Sequence, residues 1–344
     1  MKAVRLVRWQ AEPELDDVAV PEPGPGEVLV RVDAAGLCHS DIHVMDWPPG
    51  RLPWRVPFTL GHETAGTVAS LGRGVFAFAD GDCVLVYGPW GCGTCWQCLR
   101  GAENLCDRAD ELAGKGCGLG FDGGLAEYVL VPSARFLVPT YELNSAHAAP
   151  LTDAALSPYH ALKPHLPLLR PGSAAVVIGV GGLGHVAVQL LRALSPARIV
   201  AIDIRERAHR LALAAGAHAA LDADGLEPPD VRAELDAPGA MLVLDFVAND
   251  ATLALAARVL ATGGHASIVG TGGGTFPLAL GSVPFDASAS KPSWGTLPEL
   301  HEVVALARAG EIEIEVEQIA LEDAVEGYRR LREGEVVGRA VAVP

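Results

Sequence analysis

Two textures of hydrophobic patterning divide this chain. Over the first 150 residues, apolar positions come in short alternating runs: EVLVRVDAAG at 27–36, GTVASLG at 66–72 and DCVLVYG at 82–88. A period of two suits half-buried strands. Turn-rich stretches such as PEPGPGE at 21–27 break these runs, and the combination predicts a small, mostly antiparallel barrel. From about Leu151 the apolar runs become continuous and alternate with helical spacing. SAAVVIGVGGLG (173–184) leads into HVAVQLLRAL, then come RIVAID, RERAHRLALAAGA, MLVLDFV, ATLALAARVLA and HASIVG. Buried strands alternating with helices of about 10–15 residues predict a parallel sheet covered on both faces. After residue 290 the chain predicts a helix around PELHEVVALARAG and a closing alternating strand, VVGRAVAVP. The fold class is therefore α/β. The expected division is a discontinuous first domain over 1–153 and 291–344, with the parallel-sheet domain over 154–290 between.

The 344 residues allow two domains, each with its own core. A net charge of −16 disfavours nucleic acid and anionic membranes as partners. No apolar run reaches the length of about 20 residues that spans a bilayer. MKAVRLVRWQAEPE reads as the start of a strand, which makes the cytoplasm the expected location.

Gly179-Val180-Gly181-Gly182-Leu183-Gly184 joins a buried strand to a helix. In such a turn Gly179 permits the bend, Gly181 lets backbone approach a pyrophosphate and Gly184 allows close helix packing. The helix N-terminus then offers unpaired N–H groups to the phosphates. Asp203 ends the next strand, where a carboxylate accepts hydrogen bonds from an adenosine ribose and repels a 2′-phosphate. The expected cofactor is NAD, with Arg205 close enough to offset part of that repulsion.

Four of seven cysteines, Cys92, Cys95, Cys98 and Cys106, lie within fifteen residues as C-x2-C-x2-C-x7-C. Four thiolates closing on one ion make a structural zinc site, here in a lobe over 90–107. An iron–sulfur run starting the same way continues x3-C-P, and this one does not. Cys38 and His62 are more dispersed. Taken singly, each reads as well as a buried thiol or a core histidine. A catalytic zinc needs three protein ligands and one open position, and spacing alone leaves the third unidentified.

Together these motifs resemble the zinc-dependent medium-chain alcohol dehydrogenases, over nearly the whole chain. Gly61-His62-Glu63-x2-Gly66-x5-Gly72-x2-Val75 is similar to that family's zinc signature. PGPGE, AAGLCHSD, YGPWGCG, APLTDA, PYHA and VIGVGGLGHV resemble bacterial NAD-dependent secondary-alcohol dehydrogenases in particular. The resemblance implies a GroES-like catalytic domain joined to a Rossmann domain, with NAD and two zinc ions per subunit. It implies that Cys38, His62 and Asp153 hold the catalytic zinc. Asp153 stands where many relatives have cysteine, and a carboxylate still suits zinc. Asp41 would hold the ring of His62, and Glu63 would lie beside the metal. Ser40 and His43 would form a proton relay. Trp54, Leu119 and Trp294 would line an apolar pocket for a small alcohol or ketone, while Cys83 and Cys117 have no assigned task. A homo-oligomer, tetramer or dimer, is expected by the same analogy. The rival readings are a polyol or primary-alcohol and aldehyde enzyme of the same zinc family and, in another class, a non-catalytic dinucleotide-binding protein.

Overall fold

The alternating segments of the first third pair as antiparallel strands, and the strand Val28–Gly36 is their hub. It pairs with Glu63–Leu71 along its length and with Tyr128–Val131 at its start. At its end it pairs with the C-terminal strand Arg339–Val343. Cys83–Val86 and Leu137–Pro139 extend this sheet on one side, and Val316–Ala320 lies parallel to Arg339–Val343 on the other. The register sets Gly36 opposite both Glu63 and Val341. Strands from the beginning and the end of the chain thus meet at one point. A side chain at Gly36 would collide with the Glu63 carboxylate, so this glycine makes room for a charge inside the sheet. Lys2–Leu6 forms a smaller sheet with Glu14–Asp17 and Phe58–Thr59.

The second texture folds as expected into a six-stranded parallel sheet. In chain order its strands are Ala174–Ile178, Arg198–Asp203, Ala219–Asp222, Ala240–Asp245, Leu260–Ile268 and Ser288–Ser290. Their spatial order is 3-2-1-4-5-6, the doubly wound arrangement that changes direction between the first and fourth strands. Ala174–Ile178 is buried at every position, which explains its unbroken apolar run. The core between sheet and helices is built from residues such as Val176, Ile178, Val200, Ile202, Val243 and Ala266.

This computed structural model describes residues 1–344. The chain separates into Met1–Asp153 with Thr296–Arg308 and Ile314–Pro344, and Ala154–Gly295 with Ala309–Glu313. Among the elements that escaped the reading of patterns, three show why. The strand Ala219–Asp222 is short and half-exposed, and the helix Pro228–Leu235 starts from two prolines with only three buried residues. The helix Ala324–Arg332 is largely polar, with Leu331 and Tyr328 on its inner face. No helix is long and apolar enough to cross a membrane.

Candidate active site

Three donor atoms converge in the first unit. Cys38 is the N-cap of the helix His39–Asp46, and its backbone N–H donates to the Asp41 carboxylate at 3.2 Å. His62 follows Gly61, whose φ of +95° and crowding against Leu125 only glycine accommodates. Asp153 ends the 3-10 turn Ala149–Thr152. Cys38 Sγ lies 3.4 Å from Asp153 Oδ2, and His62 Nε2 lies 3.5 Å from the same oxygen. All three ligand atoms are within 4.8 Å of one another and all three residues are buried. Zinc bonds of ~2.0–2.3 Å at tetrahedral angles require ligand separations of roughly 3.3–3.8 Å. The residues fit a metal ion held on three sides.

The cysteine lobe fits a closed site. Cys95 Sγ is 3.4 Å from Cys98 Sγ and 3.9 Å from Cys106 Sγ, and Cys92 Sγ is 4.0 Å from Cys98 Sγ. Backbone N–H groups of Cys92, Cys95 and Cys98 donate to Cys106, Cys92 and Cys95 sulfurs, the pattern that stabilises thiolates. Donors from Thr94 bring the Cys92 thiol down to about 6, while burial pushes Cys98 up to about 12. Only a bound cation would hold all four ionised together.

In the second unit the glycine turn has the geometry its spacing implies. Gly179 has φ +85°, and a Cβ on Gly184 would collide with the Gly179 carbonyl. A Cβ on Gly181 would meet nothing nearer than the Arg205 guanidinium at 3.8 Å, so that backbone stays open to an approaching ligand. Gly182 and Leu183 complete the turn, Leu183 as N-cap of the helix Gly184–Leu194. Asp203 accepts the Val180 N–H at 2.8 Å and a bidentate pair from Arg205 at 2.9 and 3.0 Å. Burial opposes ionisation of Asp203, but the Arg205 guanidinium and these N–H donors hold its carboxyl below the usual range.

Residues 24–142 match the model of the alcohol dehydrogenase GroES-like domain, and residues 182–308 match that of the zinc-binding dehydrogenases. An NAD-dependent alcohol dehydrogenase of Sulfurisphaera tokodaii is 35% identical over the whole of both chains. The solved alcohol dehydrogenase of Aeropyrum pernix superposes with a TM-score of 0.91 at 34% identity, covering both chains fully. Acetophenone reductase of Geotrichum candidum, solved in complex with NAD, gives 0.87 at 31% identity over 100% of this chain and 97% of its own. The chain belongs to the zinc-dependent medium-chain alcohol dehydrogenases.

Around Cys38, His62 and Asp153 of this alcohol dehydrogenase fold lies a shell of charges. Asp41 is fully buried and accepts from His62 Nδ1 at 2.9 Å, as expected. Burial would lower the His62 pKa, but the Asp41 carboxylate and Cys38 outweigh it and raise it well above the ordinary imidazole range. Glu63 is fully buried and receives both Nε (3.1 Å) and Nη2 (2.5 Å) of Arg339. The same Nη2 lies 3.5 Å from Cys38 Sγ and 3.3 Å from Asp153 Oδ2. Arg339 thus touches two of the three donors, and Tyr328 donates to Asp41 at 2.7 Å. Neither residue was among the candidates. A lone arginine inside the apolar strand VVGRAVAVP was the available signal, because such a residue is rarely buried without a partner.

The other candidates take varied positions. Ser40 and His43 sit one turn apart on the helix His39–Asp46, Ser40 exposed and His43 half-buried. Burial lowers the His43 pKa, with Asp46 opposing and Arg332 assisting, which keeps the ring neutral and able to accept a proton. Leu119 is buried, and the Trp54 ring packs over Gly120 and edge-on to Phe58. Gly118 packs on the Gly61 backbone, so Leu119 and Trp54 belong to the neighbourhood of His62. Trp294 belongs to the second unit. Cys117 is buried against the Gly61 carbonyl, and Cys83 is exposed.

Proposed function

We propose that this chain catalyses reversible hydride transfer between NAD and a small hydrophobic alcohol, a secondary one, yielding the ketone. Cys38, His62 and Asp153 would hold the catalytic zinc, and Cys92, Cys95, Cys98 and Cys106 the structural one. The observation that carries this reading is the contrast between the two donor sets. One set offers four sulfurs, enough to close a tetrahedral site, and the other three mixed donors, one short of it. When bound, zinc would polarise the substrate oxygen and the nicotinamide would take up the hydride.

The remaining chemistry belongs to side chains. Ser40 would take the alcohol proton, and His43, neutral and one helical turn away, would accept it onward. Arg339 balances negative charge on Cys38 and Asp153. Trp54 and Leu119 supply an apolar wall that disfavours polyols, in keeping with the likeness to an acetophenone reductase. Asp203 would receive the adenosine ribose, which favours NAD. Assembly as a homo-oligomer is supported by the strand Ser288–Ser290, which leaves one sheet edge unpaired near exposed Leu278, Leu280 and Phe285. Light scattering would test it. We place the enzyme in the cytoplasm on the strength of its sequence character.

Metal analysis together with initial rates of NADH formation tests the proposal. Two zinc ions per subunit, and isopropanol and phenylethanol oxidised faster than sorbitol, are expected. One zinc in fully active protein would overturn the metal assignment. Dominant sorbitol turnover would overturn the substrate class, and NADH binding without turnover of any alcohol would make this a dinucleotide-binding protein.

A further inference from the structure

Asp41 does more than orient one histidine. Its Oδ1 meets His62 Nδ1 at 2.9 Å, and its Oδ2 accepts the Cys38 N–H at 3.2 Å and the Tyr328 hydroxyl at 2.7 Å. One carboxylate therefore grips the ring of one metal ligand and the backbone of another. Asp41 is fully buried and Tyr328 is 3% exposed, so bulk solvent has little access to these bonds. A phenol so buried resists ionisation, opposed by burial first and by the Asp41 charge next.

Tyr328 reaches this point from the helix Ala324–Arg332, 287 residues along the chain. One turn further on, Arg332 makes a two-pronged ion pair with Asp46 at 2.8 and 2.9 Å. Two contacts a turn apart thus clamp the late helix to the helix His39–Asp46, which Cys38 caps. The exposed pair contributes little by itself. The buried one bears directly on the ligands.

We infer that Tyr328 is a positioning residue for the catalytic metal: by donating to Asp41 Oδ2 it fixes the carboxylate that orients His62 and seats Cys38. With Nδ1 of His62 committed to Asp41, the Nε2 lone pair faces Cys38 and Asp153. Without the phenol, Asp41 keeps two donors and gains freedom to rotate, and the imidazole rotates with it. This inference rests on the proposed zinc at Cys38, His62 and Asp153.

Tyr328→Phe keeps the ring and removes only the donor. Zinc release from the loaded enzyme into excess chelator would be followed with a colorimetric indicator, the cysteine-lobe zinc serving as internal control. Losing an outer hydrogen-bond partner of a metal ligand costs roughly 10–100-fold in metal affinity. Tyr328 acts one bond beyond such a partner, so Y328F is expected to release the catalytic zinc at the lower end of that range, roughly tenfold faster, with lobe zinc unchanged within about twofold. The cobalt-substituted site should also shift its visible spectrum, which loss of packing elsewhere would not cause. Catalytic zinc leaving Y328F at the wild-type rate, or both ions accelerating together, would overturn the inference. A Cys38→Ser variant that loses no zinc would sink the metal assignment itself, and that control separates the two failures.

Discussion

Replacing Arg339 by methionine isolates the energetics of the charge buried behind the ligands. The side chains of Arg339 and Glu63 are 3% and 0% exposed, so neither charge has water to fall back on. Removing the guanidinium strands the Glu63 carboxylate, and breaking a buried pair from one side typically costs about 3–5 kcal/mol. The cation that approaches Cys38 Sγ and Asp153 Oδ2 is lost as well. In a unit of this size 1 kcal/mol moves Tm by about 2–4 °C, so the metal-loaded R339M protein should melt about 6–20 °C lower. The double variant R339M/E63M removes both charges and leaves apolar volume, a change that is often close to neutral. It should recover most of the loss. Circular dichroism melts of wild type, both single variants and the double variant close the cycle. If R339M stays within about 1 kcal/mol of wild type, or the double variant is as unstable as R339M, the carboxylate is not stranded and the reasoning fails.

Other consequences can be measured separately. On the proposed assignment, Asp153→Ala should lose the catalytic zinc by metal analysis and leave the cysteine lobe loaded, whereas Cys98→Ser should do the reverse and lower the first unit's melting point. Gly184→Ala should unfold or fail to express, because its Cβ meets the Gly179 carbonyl. Gly181→Ala should melt like wild type yet bind NADH at least tenfold more weakly by fluorescence titration. Burial and the stacked ring of His165 lower the pKa of His265 to about 4. The unfolded chain therefore binds more protons between about 6.5 and 4, and that part of the stability is lost as pH falls through this window. Melts across it should steepen for wild type and flatten for His265→Gln.

What the sequence made legible was what the chain keeps close together. The glycine turn and the four-cysteine lobe each lie within fifteen residues, so spacing carried their geometry. Cys38 and His62 were readable as ligands only through resemblance, and Asp153 stands 115 residues from Cys38. Arg339 and Tyr328 reach Glu63 and Asp41 across 276 and 287 residues. No local pattern encodes such distances. The short strand Ala219–Asp222 was missed for a different reason. With three residues half-buried and the fourth exposed, it lacks the apolar contrast on which periodicity depends.

The meeting of Val28–Gly36, Glu63–Leu71 and Arg339–Val343 has a consequence for biosynthesis. A ribosome delivers the thiol, imidazole and carboxylates of the metal centre long before it delivers the guanidinium and phenol that steady them. The nascent chain can assemble its cysteine lobe early. On the proposed assignment the chemical centre waits for the final strand, so a premature stop should cost catalysis before it costs metal in the lobe.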